Sequence, residues 1–399
     1  MVHINGTVTD AESGVPILNS QALVGRRNTL GQIYWYPQRN RDATKPGNFG
    51  IDAIVEDEDS GIAIRIEAPG HYAAVTRFFP ASEQSVILNL KLKRGPDILA
   101  NAIDPDGHPA TSASATVAIP GETIGIYKAK FMNLNFQSVI ASRADGTGRI
   151  AIRPQMPPFA IVVIDDNGMA VVDQKALAKS SNVRLQAWGH IDGRLMIGNK
   201  PWAKQGIRVR SADRRTADKP YIFFSDFSHT QSDGSFVFDK AAPIPLQICR
   251  TLNWHQAAGG QGDIMVTTQQ TYVNLKPSQT LKVQLGGTGR PVIGKVQVPP
   301  ELAGRKDWCF RFDCGIIPQA DVGIPTGNFP RYFVPVAPDG SFRVDDIPSG
   351  DYTLYINIGA GDYAQTNLAS SASPFTIPPI PTGRSDQPLD LGLIKMKMQ

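Results

Sequence analysis

Ile4-Asn5-Gly6-Thr7-Val8, Leu99-Ala100-Asn101-Ala102-Ile103, Ile191-Asp192-Gly193-Arg194-Leu195 and Val292-Ile293-Gly294-Lys295-Val296 are four copies of one phrase. Each reads apolar residue, spacer, usually glycine, spacer, apolar residue. The copies recur at intervals of 95, 92 and 101 residues. That period is too long for a solenoid repeat of roughly 20–50 residues and suits a small β-sandwich domain. The phrase opens a strand each time, and the turns behind it are repeated too. Asp104-Pro105-Asp106-Gly107-His108-Pro109 combines a proline that presets one turn residue with an Asp-Gly that supplies a left-handed one. Asp10-Ala11-Glu12-Ser13-Gly14-Val15-Pro16-Ile17 and Ile197-Gly198-Asn199-Lys200-Pro201-Trp202 stand at the equivalent places. A second hairpin signal, Asp-Gly before an alternating strand, appears as Asp145-Gly146, as Asp233-Gly234-Ser235-Phe236-Val237-Phe238 and as Asp339-Gly340-Ser341-Phe342-Arg343-Val344. The first copy has Asn48-Phe49-Gly50-Ile51 there.

Closing strands complete each unit at Val86–Leu92, Val183–Leu185, Leu281–Leu285 and Leu389–Met396. A glycine-containing joint of about four to six residues then leads into the next opening phrase. Joints this short restrict their neighbours. The expected architecture is all-β: a tandem array of Ig/transthyretin-like β-sandwich domains over 1–94, 95–186, 187–286 and 287–399, forming a semi-rigid rod. One helical turn or two is expected at Asp173–Ser180, started by the aspartate. Strand-dominated circular dichroism and scattering from an elongated particle are the matching solution expectations.

Composition agrees. The chain has 399 residues, enough for two to four domains. Glycine (37) and proline (31) make about 17% of it, which suits short strands and turns and falls short of low complexity. The net charge of +4 is small, and no basic run exceeds Lys91-Leu92-Lys93-Arg94, so nucleic acid is not an expected partner. Apolar runs such as Ala160–Ile164 have strand length, far below the ~20 residues of a membrane-spanning helix. Met1 runs straight into the first strand phrase, which reads as a region excised from something longer. Cys309 and Cys314 are five apart and point to opposite faces of a continuous strand, which disfavours pairing unless a bend intervenes. Buried free thiols are expected for these and for Cys249.

The opening strand, the Asp-Gly turns, Ile347-Pro348-Ser349-Gly350-Asp351-Tyr352 and the closing Gly359-Ala360-Gly361-Asp362-Tyr363 together resemble the carboxypeptidase regulatory-like domain. The resemblance covers Val292–Ile358 closely, the second and third units fairly and the first partly; Asn101 departs from the opening glycine. It implies a transthyretin-like or starch-binding-like seven-stranded sandwich. For bacteria it implies tandem extracellular or periplasmic spacer modules of the cell envelope.

No catalytic template is present: there is no His-Glu-x-x-His, no Gly-x-Ser-x-Gly and no phosphate loop. Gly286-Gly287-Thr288-Gly289-Arg290 is glycine-rich but lies at a joint and reads as a turn. The six histidines are dispersed without ligand spacing. Asp104 with Asp106 and the run Glu56-Asp57-Glu58-Asp59 offer too few converging oxygens for calcium. No metal or cofactor is expected. The aromatic run Ile33-Tyr34-Trp35-Tyr36-Pro37-Gln38-Arg39 is the functional lead, because three consecutive aromatics cannot all face one core. Tyr34, Trp35, Tyr36 and Arg39 are the candidate contacts for a glycan or a protein partner; docking of this segment on the second module is the structural alternative. The function expected is a non-catalytic structural or interaction segment, compatible with self-association. The alternative is a carbohydrate-binding array or an accessory region of a polysaccharide- or peptide-processing enzyme.

Overall fold

The structure is a computed structural model that describes the whole chain except residues 28–32, 38–45, 56–60, 133–140, 214–215, 217, 256–262, 303–304, 306–307, 312, 322–331 and 361–365. The described residues are nearly all strand and turn. They hold one α-helix, Gln174–Lys179, and two 3-10 turns. Asp173 caps that helix by accepting the Ala176 N–H at 2.8 Å, as its position in the sequence suggests. No described helix is long and apolar enough to cross a membrane. The chain divides into two compact units, Met1–Trp188 with Arg214–Ser225, and Gly189–Asp213 with Asp226–Gln399.

In the first unit the opening strand Val2–Asp10 lies between two partners. It runs antiparallel to Asn48–Ala53 and parallel to the closing strand Ser85–Leu92. A second sheet has the order Ile33–Pro37, Gln21–Arg27, Ile62–Glu67, Ala74–Val75. Alternation puts Val2, Ile4 and Val8 against Val24, Ile62, Ile64 and Ile66, all buried, in one core. Residues 95–187 repeat the plan. Ile98–Ile103 sits between Arg149–Ile152 (antiparallel) and Asn182–Arg184 (parallel). The facing sheet is built on Ser114–Ala118, Ala160–Asp165 and Gly168–Asp173. Its core is smaller in side chain, with Ala100, Ala102, Ile150, Ile161 and Val163. The hairpin of Thr123–Tyr127 with Lys130–Met132 also takes Tyr221–Ser225 as a parallel neighbour.

In the second unit Gly189–Ile197 is flanked by Ser235–Ala241 and by the parallel Thr280–Leu285. Gly206–Ser211, Pro245–His255 and Asp263–Asn274 form antiparallel neighbours in another sheet. Arg290–Gln297 is flanked by Ser341–Ile347 and by the parallel Leu389–Lys395. Gly350–Ala360 and Thr366–Ile377 form the long hairpin of the opposite sheet. Val292, Val296, Ile316, Phe342, Leu354 and Ile356 are buried between them.

Register explains the recurrent glycine. Gly6 lies opposite Phe49, Gly193 opposite Phe236 and Gly294 opposite Phe342. A methyl at these positions would stand 2.9, 2.0 and 2.7 Å from the facing aromatic ring. Asn101 faces Arg149 instead, so nothing there requires glycine. The three cysteines are buried and none of them is in a disulfide.

The joints are hydrogen-bonded. Asp10 accepts from Arg94 Nε at 2.7 Å and lies 3.0 Å from His71 Nε2. Arg94, with the Ser13 N–H and His71, holds its carboxyl well below the usual carboxylate range. Gly95 N donates to Gly70 O at 3.1 Å. In the second unit the glycine-rich stretch is a set of left-handed turns, with φ of +66° at Gly286, +74° at Gly287 and +82° at Gly289. The Gly287 and Gly198 N–H groups both donate to the Asp346 carboxylate, at 3.0 and 3.1 Å.

Candidate functional site

Strand Ile33–Pro37 carries the aromatic run and pairs with Gln21–Arg27, placing Trp35 opposite Gly25. Trp35 is 5% exposed and packs on Leu23, Ala63, Ile33 and Phe78. A methyl at Gly25 would stand 2.6 Å from the indole, so the glycine is what lets the ring lie flat there. Tyr36 is half-buried, with the Arg26 guanidinium 5.4 Å from its ring centroid. Tyr34 pairs through its backbone with Arg26. Arg39 and the run Glu56–Asp59 lie outside the described residues.

Beside the indole the sequence assembles four charges. In Ile62–Glu67 the alternation turns Ile62, Ile64 and Ile66 into the core and Ala63, Arg65 and Glu67 to the other face. Arg65 lies 5.7 Å from the Trp35 ring centroid. Its Nη1 meets Glu122 Oε1 at 2.7 Å and its Nη2 meets Glu67 Oε1 at 2.7 Å. Arg153 Nη1 reaches Glu67 Oε2 at 2.9 Å. Glu122 is fixed by its own backbone: its N–H donates to Ile119 O and its carbonyl accepts the Tyr221 N–H at 2.8 Å. Side-chain exposure is only 11% for Arg65, 12% for Glu67 and 9% for Glu122. These pairs are therefore screened far less than surface pairs.

Burial pushes the Glu122 carboxyl up to about 7; Glu67 adds to the rise, while Arg65 and a hydrogen bond from Trp35 oppose it. The folded value lies above that of an unfolded glutamate. The contribution to stability is therefore full below about pH 4.5 and is lost as pH rises towards 7. We expect the unit to lose on the order of 1–3 kcal/mol across that window. Glu122→Gln should abolish the slope. Thermal melts of both proteins at pH 5 and pH 8 check it, and parallel pH profiles would refute it.

A cavity of about 70 Å³ adjoins the cluster, lined also by His71, Thr116 and Gln155. It admits a few waters and falls well short of the ~300–1,000 Å³ of ligand pockets. Arg65 bridges both carboxylates, so the arrangement neutralises and fastens rather than leaving one carboxylate open to a substrate. Sequence reasoning passed over these residues. The available signal was a lone arginine in Ile62-Ala63-Ile64-Arg65-Ile66, a stretch otherwise apolar.

The other sequence candidates resolve locally. Asp104 accepts the His108 N–H at 2.8 Å within its own turn, and that bond chiefly lowers its pKa. His3, His71, His108 and His190 each stand beside an aspartate. Among the described residues no group of three His, Cys, Asp or Glu is placed to hold a metal ion.

No family model matches the chain, and no curated protein sequence does. Among solved structures it is similar to BcpA, the major pilin subunit of Bacillus cereus, at 10% identity over 71% of this chain and 98% of that one, TM-score 0.19. It is similar to the Bacillus anthracis TIE protein at 9% identity over 95% and 68%, TM-score 0.18. A tetra-tandem repeat from the extending region of a large adhesion protein gives 9% identity over 94% and 99%, TM-score 0.13. Scores so far below 0.5 carry no argument, and the all-β assignment rests on the sheets of this chain.

Proposed function

We propose that the chain is a non-catalytic structural segment of a bacterial cell-surface or secreted protein. In this reading it consists of four β-sandwich modules, 1–94, 95–186, 187–286 and 287–399, that hold neighbouring elements at a fixed spacing. Its partner at the envelope is a protein or a glycan. The observation that carries the reading is the joint between the first two modules. A spacer must stop its modules from swivelling, and here a buried Arg65–Glu67–Glu122 cluster joined by the partly exposed Arg153, with a pinned Arg94–Asp10 connection, does so. The resemblance to carboxypeptidase regulatory-like modules supports the envelope setting.

The joint offers a direct test, because Lys93 and Arg94 are trypsin sites in a short connection. The native chain should resist cleavage after Arg94. Asp10→Ala removes the acceptor shared by Arg94 and His71 and should open that site to trypsin, read by mass spectrometry of the fragments. Rapid cutting of the native joint would contradict the proposal. So would turnover on a glycan or peptide panel that a single carboxylate substitution abolishes.

A further inference from the structure

The second unit holds a cavity of about 320 Å³ lined by Trp202, Arg250, Gln269, Phe333, Arg343 and Asp345, among others. It is built around a register break. Strands Pro245–His255 and Asp263–Asn274 pair Ile248 with Thr271 and Arg250 with Thr268, so Gln269 and Gln270 together face the single residue Cys249. Gln269 takes up the extra length with φ of +48°, a left-handed backbone that side chains seldom adopt. Bulges of this kind re-aim side chains and concentrate at functional sites. Here the bulge brings Arg250 and Gln269 to the same cavity wall.

Both groups are incompletely matched. Arg250 is 8% exposed. Its guanidinium lies 3.6 Å from the Trp202 ring centroid, and its Nε donates to the neutral amide oxygen of Gln205 at 3.1 Å. Asp345 acts on it only through space, because that carboxylate contacts Arg343 at 2.8 Å. Gln269 Oε1 is buried without a hydrogen-bond partner among the described residues. Burial pulls the Arg250 pKa down to about 10, the cost of a desolvated cation with no anion in contact among the described residues. A guanidinium stacked on one face keeps its fork available in the ring plane, the geometry that matches a carboxylate.

Leu252, Phe333 and Val344 supply apolar wall, which favours an organic body over an inorganic ion. We propose that this cavity binds a small organic carboxylate, its carboxylate on Arg250 and its body against Leu252 and Phe333. The site is separate from the first unit's charged joint and independent of the spacer reading.

Calorimetric titration of the full chain with benzoate, benzyl alcohol and inorganic phosphate tests it. Benzoate should bind at least about tenfold more tightly than either comparator, the size of one well-made charge-assisted contact. Asp345→Asn removes the competing negative charge and should tighten benzoate roughly threefold. Arg250→Met should abolish binding while the chain keeps a cooperative melt. Equal affinity for benzyl alcohol overturns the proposal, as does equal affinity for phosphate. Benzoate binding only above ~10 mM does so too. Should Arg250→Met fail to fold, Asp345→Asn decides alone, and unchanged benzoate affinity in that variant refutes the assignment.

Discussion

Trp35→Ala is expected to destabilise the first unit by about 3–5 kcal/mol, the usual cost of emptying a large aromatic site in a core. The site has little means of collapse. Gly25 beneath the ring offers no side chain to fill the gap, and Leu23 and Ala63 sit on strands already fixed by their own ladders. The same change removes the hydrogen bond to Glu122 and the aromatic face beside Arg65. For a unit of this size the melting temperature should fall on the order of 10 °C. Trp35→Phe should restore most of it. A Trp35→Ala chain that melts normally but loses a glycan or protein ligand would instead put the indole at a binding surface.

Arg65→Met is expected to cost a similar ~3–5 kcal/mol for a different reason. The thioether side chain fills much the same volume, so the loss is one of charge: Glu67 and Glu122 remain buried together with only Arg153 to oppose them. Protonation relieves that repulsion. The deficit should therefore be larger at pH 8 than at pH 5, since Glu122 titrates near 7. Adding Glu122→Gln should recover part of the loss, so the double variant lies above the sum of its singles. Chemical denaturation of the four proteins at both pH values measures this. Strict additivity, or a pH-independent deficit, would show that the cluster does not act as a unit.

The strand plan was legible because its determinants are local. The opening phrases and the Asp-Gly turns are each written in a few consecutive residues, although the glycines answer aromatics on strands far along the chain. Asp145, Asp233 and Asp339 accept N–H groups two residues on, from Thr147, Ser235 and Ser341. One detail shifted: in Asp145-Gly146-Thr147-Gly148 the left-handed residue is Gly148, at φ +81°. Within the aromatic run at 34–36 the burial of Trp35 depends on Gly25 opposite, which makes room that no single-strand pattern reveals. Arg65 and Glu122 meet across 57 residues of sequence. Their encounter depends on how two sandwiches dock, which strand periodicity does not encode. Arg250 and Gln269 likewise share a cavity through a bulge whose position follows from pairing register.

If the charges at Arg65 hold the two sandwiches of the first unit as one cooperative body, both should loosen when that charge is removed. Native-state hydrogen exchange of the full chain, native and Arg65→Met, reads this segment by segment. Amides in Ile62–Glu67 and in Ala160–Asp165, one strand from each sandwich, should lose protection together and by the same free energy. Loss confined to Ile62–Glu67, with Ala160–Asp165 unchanged, would contradict it.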